Sequence, residues 1–261
     1  MKKYLVIGNP IQHSLSPKLH NHWIKENKIN ATYDKKQLNN NDIEEIIGEV
    51  KKEKIDGINV TVPFKKSVIL FLDQLTPLAK EAQSVNTIFK KNNKVVGDNT
   101  DVGGFELALK QIKYDVKNKR AFILGSGGVA PSIILALKRL GVAKIFLSNR
   151  TKEKAENLKK DHPDLEIIDW GQSPNFDLII NATSLGLKND DQIGLNYNEL
   201  GSNKLFYDVI YNPSETNFLL KGKELGNKIA NGKMMFIYQA QLAFKIWHNI
   251  LPKIDNKLLD E

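Results

Sequence analysis

The chain has 261 residues, a net charge of +8 and no cysteine, and is long enough to bury a sizeable core over two modest domains. The missing cysteine excludes a disulfide framework, a thiolate nucleophile and a cysteine metal site, and suits a reducing cytoplasm. The positive charge comes from scattered lysines and only three arginines, Arg120, Arg139 and Arg150, which reads as a solvated surface rather than a nucleic-acid face.

Short apolar runs alternate with helical stretches, the pattern of α/β layers around largely parallel sheets. The start, Met1-Lys-Lys-Tyr-Leu-Val-Ile-Gly8, has too short an apolar run for a signal peptide and predicts a buried strand over 3–8. A helix over 17–28, a strand over 32–38, a helix over 43–52, a strand over 57–60 and a helix after Pro63 follow. Asn92-Asn93 centres a hairpin between 87–91 and 94–97, and a helix over 102–112 leads into the second half. There the predicted strands are 120–124, 144–148, 165–168, 177–181 and 204–209, with a helix over 132–140. A last helix, Phe236–Leu251, carries apolar residues at helical spacing. Nothing approaches the about twenty apolar residues of a membrane span, so no membrane partner is expected.

The most informative motif is the strand Arg120-Ala-Phe-Ile-Leu124 breaking into Gly125-Ser-Gly-Gly-Val-Ala130. Gly125 permits the tight turn, Gly127 lets the backbone approach a pyrophosphate, and Ala130 is the small residue that lets the helix pack on the strand. A helix N-terminus then faces the phosphates with unpaired N–H groups and a favourable dipole. The next strand ends in Ser148-Asn149-Arg150-Thr151 with no carboxylate to hold a ribose 2′-hydroxyl. A guanidinium there suits a 2′-phosphate, so the cofactor read from these residues is NADP rather than NAD.

Three polar clusters mark the first half. His13-Ser-Leu-Ser-Pro17 places Ser14 and Ser16 at the C-terminal edge of the first strand, where open α/β sheets bind ligands; Ser16 is read either as part of a polyol grip or as a helix N-cap. In Asn59-Val-Thr-Val-Pro-Phe-Lys65, Lys65 is read either as an acid/base or as half of an exposed Lys65-Lys66 pair, which periodicity alone favours. In Gly97-Asp-Asn-Thr-Asp101, Asp101 is a helix N-cap, a partner of Lys65, or both; Asp98 offers the same chemistry nearby. His162 and His248 are read as surface positions, and the histidines lack metal-ligand spacing, so no metal is expected.

Together these motifs, spread over almost the whole chain, resemble those of the shikimate dehydrogenase family. The resemblance implies an N-terminal α/β substrate domain (1–101, completed by the C-terminal helix 236–261) and a Rossmann NADP-binding domain (102–235), facing each other across a cleft. It implies Lys65 and Asp101 as the catalytic pair. Substrate contacts would come from Ser14, Ser16, Asn59, Thr61, Lys65, Asn86, Asp101, Tyr211 and Gln239. Cofactor contacts would come from Gly125, Ser126, Gly127, Gly128, Val129, Asn149, Arg150, Thr151, Lys154, Thr183, Val209 and Gly232. Ser126 replaces the family's usual alanine in the glycine loop, and Ser84 departs from its small residues before Val85-Asn86. The implied reaction is reversible reduction of 3-dehydroshikimate to shikimate with NADPH, in aromatic amino acid biosynthesis. A quinate/shikimate enzyme with relaxed substrate or NAD use is the alternative, and a non-catalytic NADP sensor a more distant one. A cytoplasmic monomer or homodimer with small-molecule partners and no nucleic acid is expected.

Overall fold

The computed structural model describes residues 1–188 and 190–255. The chain divides into two compact units, one of residues 1–104 together with the stretch from Ile237 onward, the other of residues 105–236. Among the described residues no helix is long and apolar enough to cross a membrane.

The first unit contains β1 (Lys2–Gly8), α1 (Ser16–Glu26), β2 (Ala31–Gln37), α2 (Ile43–Lys51), β3 (Gly57–Val60), β4 (Gln74–Leu75), α3 (Pro77–Ala82), β5 (Thr87–Lys91) and β6 (Lys94–Asp98). Its sheet runs β2-β1-β3-β5-β6-β4. β1 lies parallel to both β2 and β3, while β5 is antiparallel to β3 and β6. The β5–β6 hairpin turns on Asn92 and Asn93, whose φ values of 50° and 61° fit a two-residue turn matched to the strand twist. Ile43, Ile46, Ile47 and Val50 are buried along one face of α2 and join Ile58, Val60, Phe64, Val85 and Ile88 in the core.

α4 (Thr100–Gln111) starts in the first unit and ends in the second, which continues with β7 (Arg120–Leu124), α5 (Ala130–Arg139), β8 (Lys144–Ser148), α6 (Lys152–Asp161) and β9 (Glu166–Ile167). Then come β10 (Leu178–Asn181), β11 (Leu205–Asp208), α7 (Asn217–Glu224) and β12 (Lys228–Ala230). This sheet runs β12-β11-β10-β7-β8-β9, parallel throughout. Residues 121–124, 178–181 and 205–208 are all buried, as strands covered on both faces must be. The order reverses between β7 and β10, the switch point at which such sheets bind ligands beyond their C-terminal ends. Register aligns Leu124 with Ser148 and with Asn181, and Asn181 with Asp208, so the binding edge is a straight row.

α8 (Lys233–His248) carries the chain back into the first unit. Ile237, Ala240, Ala243 and Phe244 on it are fully buried. The Phe244 ring lies 5.6 Å from that of Trp23, and Trp247 lies 4.9 Å from Tyr4.

Several expectations shift. The last helix is Lys233–His248 rather than 236–251, and the strand expected over 165–168 shortens to two residues. After Pro63 there is a turn over 62–66 and then a 3₁₀ helix, Ser67–Phe71. The reason is that the Lys65 carbonyl accepts the Val85 N–H at 2.8 Å instead of feeding a helical ladder. β4, α3 and β12 are short elements that periodicity does not reveal. His162 is buried at 4% exposure, not a surface residue, and His248 is half-buried against the rings of Tyr4 and Phe244.

Candidate active site

The polar clusters of the first unit converge on the C-terminal ends of β1 and β3 and the start of α4. Thr61 donates its backbone N–H to the Ile7 carbonyl at 2.9 Å, which fixes the turn that presents Lys65. Lys65 is buried whereas Lys66 is exposed, so the two are not a surface pair. Lys65 Nζ donates to Asp101 Oδ2 at 2.6 Å, with the side chains only 10% and 8% exposed. Asp101 stands in the first turn of α4, where the helix dipole favours a carboxylate. It is not the cap. That role belongs to Asn99, whose Oδ1 accepts the Val102 N–H at 3.2 Å while its Nδ2 donates to the Ser84 carbonyl at 2.8 Å. Asp98 is committed elsewhere, accepting from Thr76 Oγ1 at 2.5 Å and from the Asn99 N–H at 2.7 Å.

A hydrogen-bonded series of amides and hydroxyls surrounds this pair. Ser16 is buried. Tyr33 Oη donates to Asn59 Oδ1 at 2.7 Å, and burial drives its pKa well above the usual tyrosine value. Asn59 Nδ2 donates to Thr87 Oγ1 and to the Asn86 carbonyl, both at 3.1 Å. Asn86 Oδ1 accepts the Thr100 N–H at 2.7 Å, and its Nδ2 donates to Thr100 Oγ1 at 2.9 Å and Gln239 Oε1 at 3.3 Å. Ser14 is half-buried and accepts the Ser16 N–H at 3.3 Å, so Ser16 is no side-chain cap for α1. Ser14, Ser16, Asn59, Thr61, Lys65, Asn86, Asp101 and Gln239 thus all belong to the first unit; Tyr211 belongs to the second. Thr87 and Thr100 stand inside the polar motifs of the sequence reading without a role there, and Tyr33 lies outside them. An ammonium and a carboxylate held together out of water, ringed by hydroxyls and amides, equip this site to move a proton on a polyhydroxylated small molecule.

In the second unit Gly125 has φ +99°, and a Cβ there would stand 2.7 Å from Thr183 Cγ2 and 3.0 Å from the Ala182 carbonyl. Glycine is therefore required at the turn. Asn149 Oδ1 accepts the Ser126 N–H at 3.0 Å, and its Nδ2 donates to the Thr151 carbonyl at 2.8 Å, bracing the glycine loop against the end of β8. Gly127 to Val129 lead into α5, whose first residue, Ala130, is fully buried. Among the described residues the buried Ser126 hydroxyl has no hydrogen-bond partner. Arg150, Thr151 and Lys154 are exposed just past β8. These residues fit a dinucleotide with an additional phosphate on its ribose.

Beyond β10, the neighbour of β7, Thr183 donates through both N–H (3.1 Å) and Oγ1 (2.7 Å) to Asn181 Oδ1. A Cβ on Gly232 would collide with the Val209 carbonyl oxygen, so only glycine admits this close approach. Tyr211 stacks on Phe236 with ring centroids 4.9 Å apart, and burial pushes its phenol up to about 12. Asn181 and Asp208 stand inside motifs of the family resemblance, Asn181–Gly186 and Tyr207–Pro213, but have no role in the sequence reading. A signal existed: each is a polar residue closing an otherwise apolar strand at the ligand-binding edge.

A Rossmann-type sheet with a dinucleotide loop, carried on the same chain as a buried amine–carboxylate pair, defines the class as pyridine-nucleotide oxidoreductases. Residues 6–88 match the model of the shikimate dehydrogenase substrate binding domain, and residues 106–186 that of shikimate / quinate 5-dehydrogenase. The chain belongs to the shikimate dehydrogenase family. It is 59% identical over 259 residues to the shikimate dehydrogenase (NADP(+)) of Pelagibacter ubique, covering 99% of this chain and 98% of that one. The shikimate dehydrogenase structure from Aquifex aeolicus is 38% identical with a TM-score of 0.89, over 100% of this chain and 96% of that one. The shikimate 5-dehydrogenase from Thermus thermophilus, in complex with NADP(H) and shikimate, is 29% identical with a TM-score of 0.88, over 97% and 95% of the two chains.

Proposed function

We propose that this chain catalyses the reversible NADP-dependent reduction of 3-dehydroshikimate to shikimate, with the first unit holding the substrate and the second the cofactor. The observation that carries the reading is the Lys65–Asp101 pair at 2.6 Å. Bound NADPH supplies the hydride. Everything else falls to the chain's own side chains. Lys65 Nζ gives a proton to the carbonyl oxygen as it becomes a hydroxyl, and takes one back in the reverse direction. Asp101 keeps that ammonium in place and receives a neighbouring substrate hydroxyl. Ser14, Ser16, Asn59, Thr61, Asn86 and Gln239 present donors and acceptors to the remaining hydroxyls and the carboxylate, and Tyr211 joins them on the family match. Gly125 to Val129 would hold the pyrophosphate, and Asn149, Arg150, Thr151 and Lys154 the adenosine ribose with its phosphate. Thr183, Val209 and Gly232 would lie at the nicotinamide end. A cytoplasmic monomer or homodimer working on small molecules alone completes this reading.

The test is absorbance at the reduced-nicotinamide band with shikimate and either NADP or NAD. Fast reduction of NADP and slow reduction of NAD is expected, whereas quinate turned over faster with NAD favours the alternative enzyme. Lys65→Ala should lower turnover by about a hundredfold or more with NADPH affinity nearly kept. Unchanged turnover in that variant removes Lys65 from the mechanism.

A further inference from the structure

Asp208 closes β11 and is 0% exposed. Among the described residues its partners are all neutral donors. Oδ1 accepts from Asn181 Nδ2 at 3.1 Å and from the Ile210 N–H at 3.0 Å. Oδ2 accepts from the same Asn181 Nδ2 at 3.1 Å and from Thr216 Oγ1 at 2.6 Å. Burial pushes this carboxyl up to about 6, against the pull of those bonds. A buried carboxylate without a cation is a costly way to fill space, and an apolar residue would serve a core better. What it organises is therefore informative.

Its two oxygens orient two loops. With Nδ2 held by Asp208 and by the Leu185 carbonyl at 2.9 Å, the Asn181 amide must turn its Oδ1 toward Thr183, whose N–H and hydroxyl it accepts. On the other side, Ile210 donates its N–H to Asp208 and accepts the Gly232 N–H at 3.1 Å, while the Val209 N–H donates to the Asn181 carbonyl at 3.0 Å. Thr216, the third partner, caps α7 through the Leu219 N–H at 3.4 Å. One carboxylate thus ties together the segments bearing Thr183, Val209 and Gly232.

We infer that Asp208 is a positioning residue for the nicotinamide end of the cofactor site, acting through Asn181 and Ile210. The inference rests on the cofactor assignment proposed above. An acceptor-only group is what the site demands: asparagine has the same shape but brings an NH₂ to a place where every partner is a donor, except the Thr216 hydroxyl, which can also accept.

The experiment compares NADPH with 2′,5′-ADP, the cofactor fragment lacking nicotinamide, by fluorescence or calorimetric titration of wild type and Asp208→Asn. NADPH should bind about tenfold more weakly to the variant while 2′,5′-ADP binds as before. Equal weakening of both, or no weakening of either, overturns the inference. If Asp208→Asn fails to fold, Thr216→Val removes one donor and leaves the carboxylate; a smaller loss confined to NADPH is expected, and its absence is equally decisive. Wild-type protein that binds no NADPH overturns both the cofactor assignment and this inference. Wild-type protein that binds NADPH yet leaves shikimate unoxidised overturns only the substrate assignment, and the titrations still decide the role of Asp208.

Discussion

Arg150 lies exposed directly after β8, where its charge is worth most to a phosphate and little to a hydroxyl. Arg150→Ala should weaken NADPH about tenfold or more and NADH hardly at all, since charge-assisted bidentate bonds are the strong ones; equal losses in titrations of the two would argue against a 2′-phosphate contact. His20 governs a different property. It is 1% exposed, stacked on Tyr33 at 4.2 Å, and neither ring nitrogen has a hydrogen-bond partner among the described residues. Burial, then the nearby His248, lowers its pKa to about 3. A histidine depressed on folding gives full stability above about pH 6.5 and loses it as pH falls toward the folded value, about 1.4 kcal/mol for each pH unit. His248, lowered to about 4, acts in the same direction. His20→Phe should keep the stack and flatten, without abolishing, the fall in melting temperature between pH 6.5 and 5. An unchanged slope would show that His20 does not carry the acid sensitivity. The setting of Arg150 was readable from the strand before it, but that of Lys65 was not: beside Lys66 it has the periodicity of a surface pair, and long-range bonds from Thr61 to Ile7 and from Val85 to the Lys65 carbonyl shape the turn that buries it.

Strand–turn–helix units with strong local chemistry were the legible elements. The glycine loop, the Asn92-Asn93 hairpin and the apolar strands of the second unit each carry their own cause within a few residues. Where the cause lies far off in sequence, reading failed, as with the turn after Pro63, set by the Val85 N–H, and with the bond between Asn181 and Asp208 that joins the ends of β10 and β11. Gly125 shows how tightly local and distant demands combine. Gly125→Ala puts a Cβ against Thr183 and Ala182 at φ +99°, which should cost about 1–3 kcal/mol of stability and displace the loop that Asn149 braces. Urea unfolding with and without NADPH checks this: the variant should unfold earlier and gain far less from the cofactor than wild type. Equal stabilisation of both by NADPH would mean that the loop tolerates the methyl group.

At the scale of the whole molecule, the two units differ in how the chain supplies them. The second is one continuous stretch, 105–236, whereas the first is assembled from residues 1–104 and the helix that returns at Ile237. That return is tied down by the Trp247 indole N–H to the Ile88 carbonyl at 3.2 Å, and by Trp23 Nε1 and Gln241 Nε2 donating to the Lys253 and Pro252 carbonyls at 2.9 and 2.7 Å. Synthesis on the ribosome runs from the N-terminus, so the part made first is the part completed last. Residues 1–104 must wait, with the surface that Phe244 and Trp247 will cover still open to water, while the dinucleotide unit behind them already has every strand it needs. Nascent chains halted before Ile237 should therefore resist protease within 105–236 and be cleaved within 1–104, and a chaperone that holds apolar surface would find its substrate in the older segment of the chain rather than the newer one.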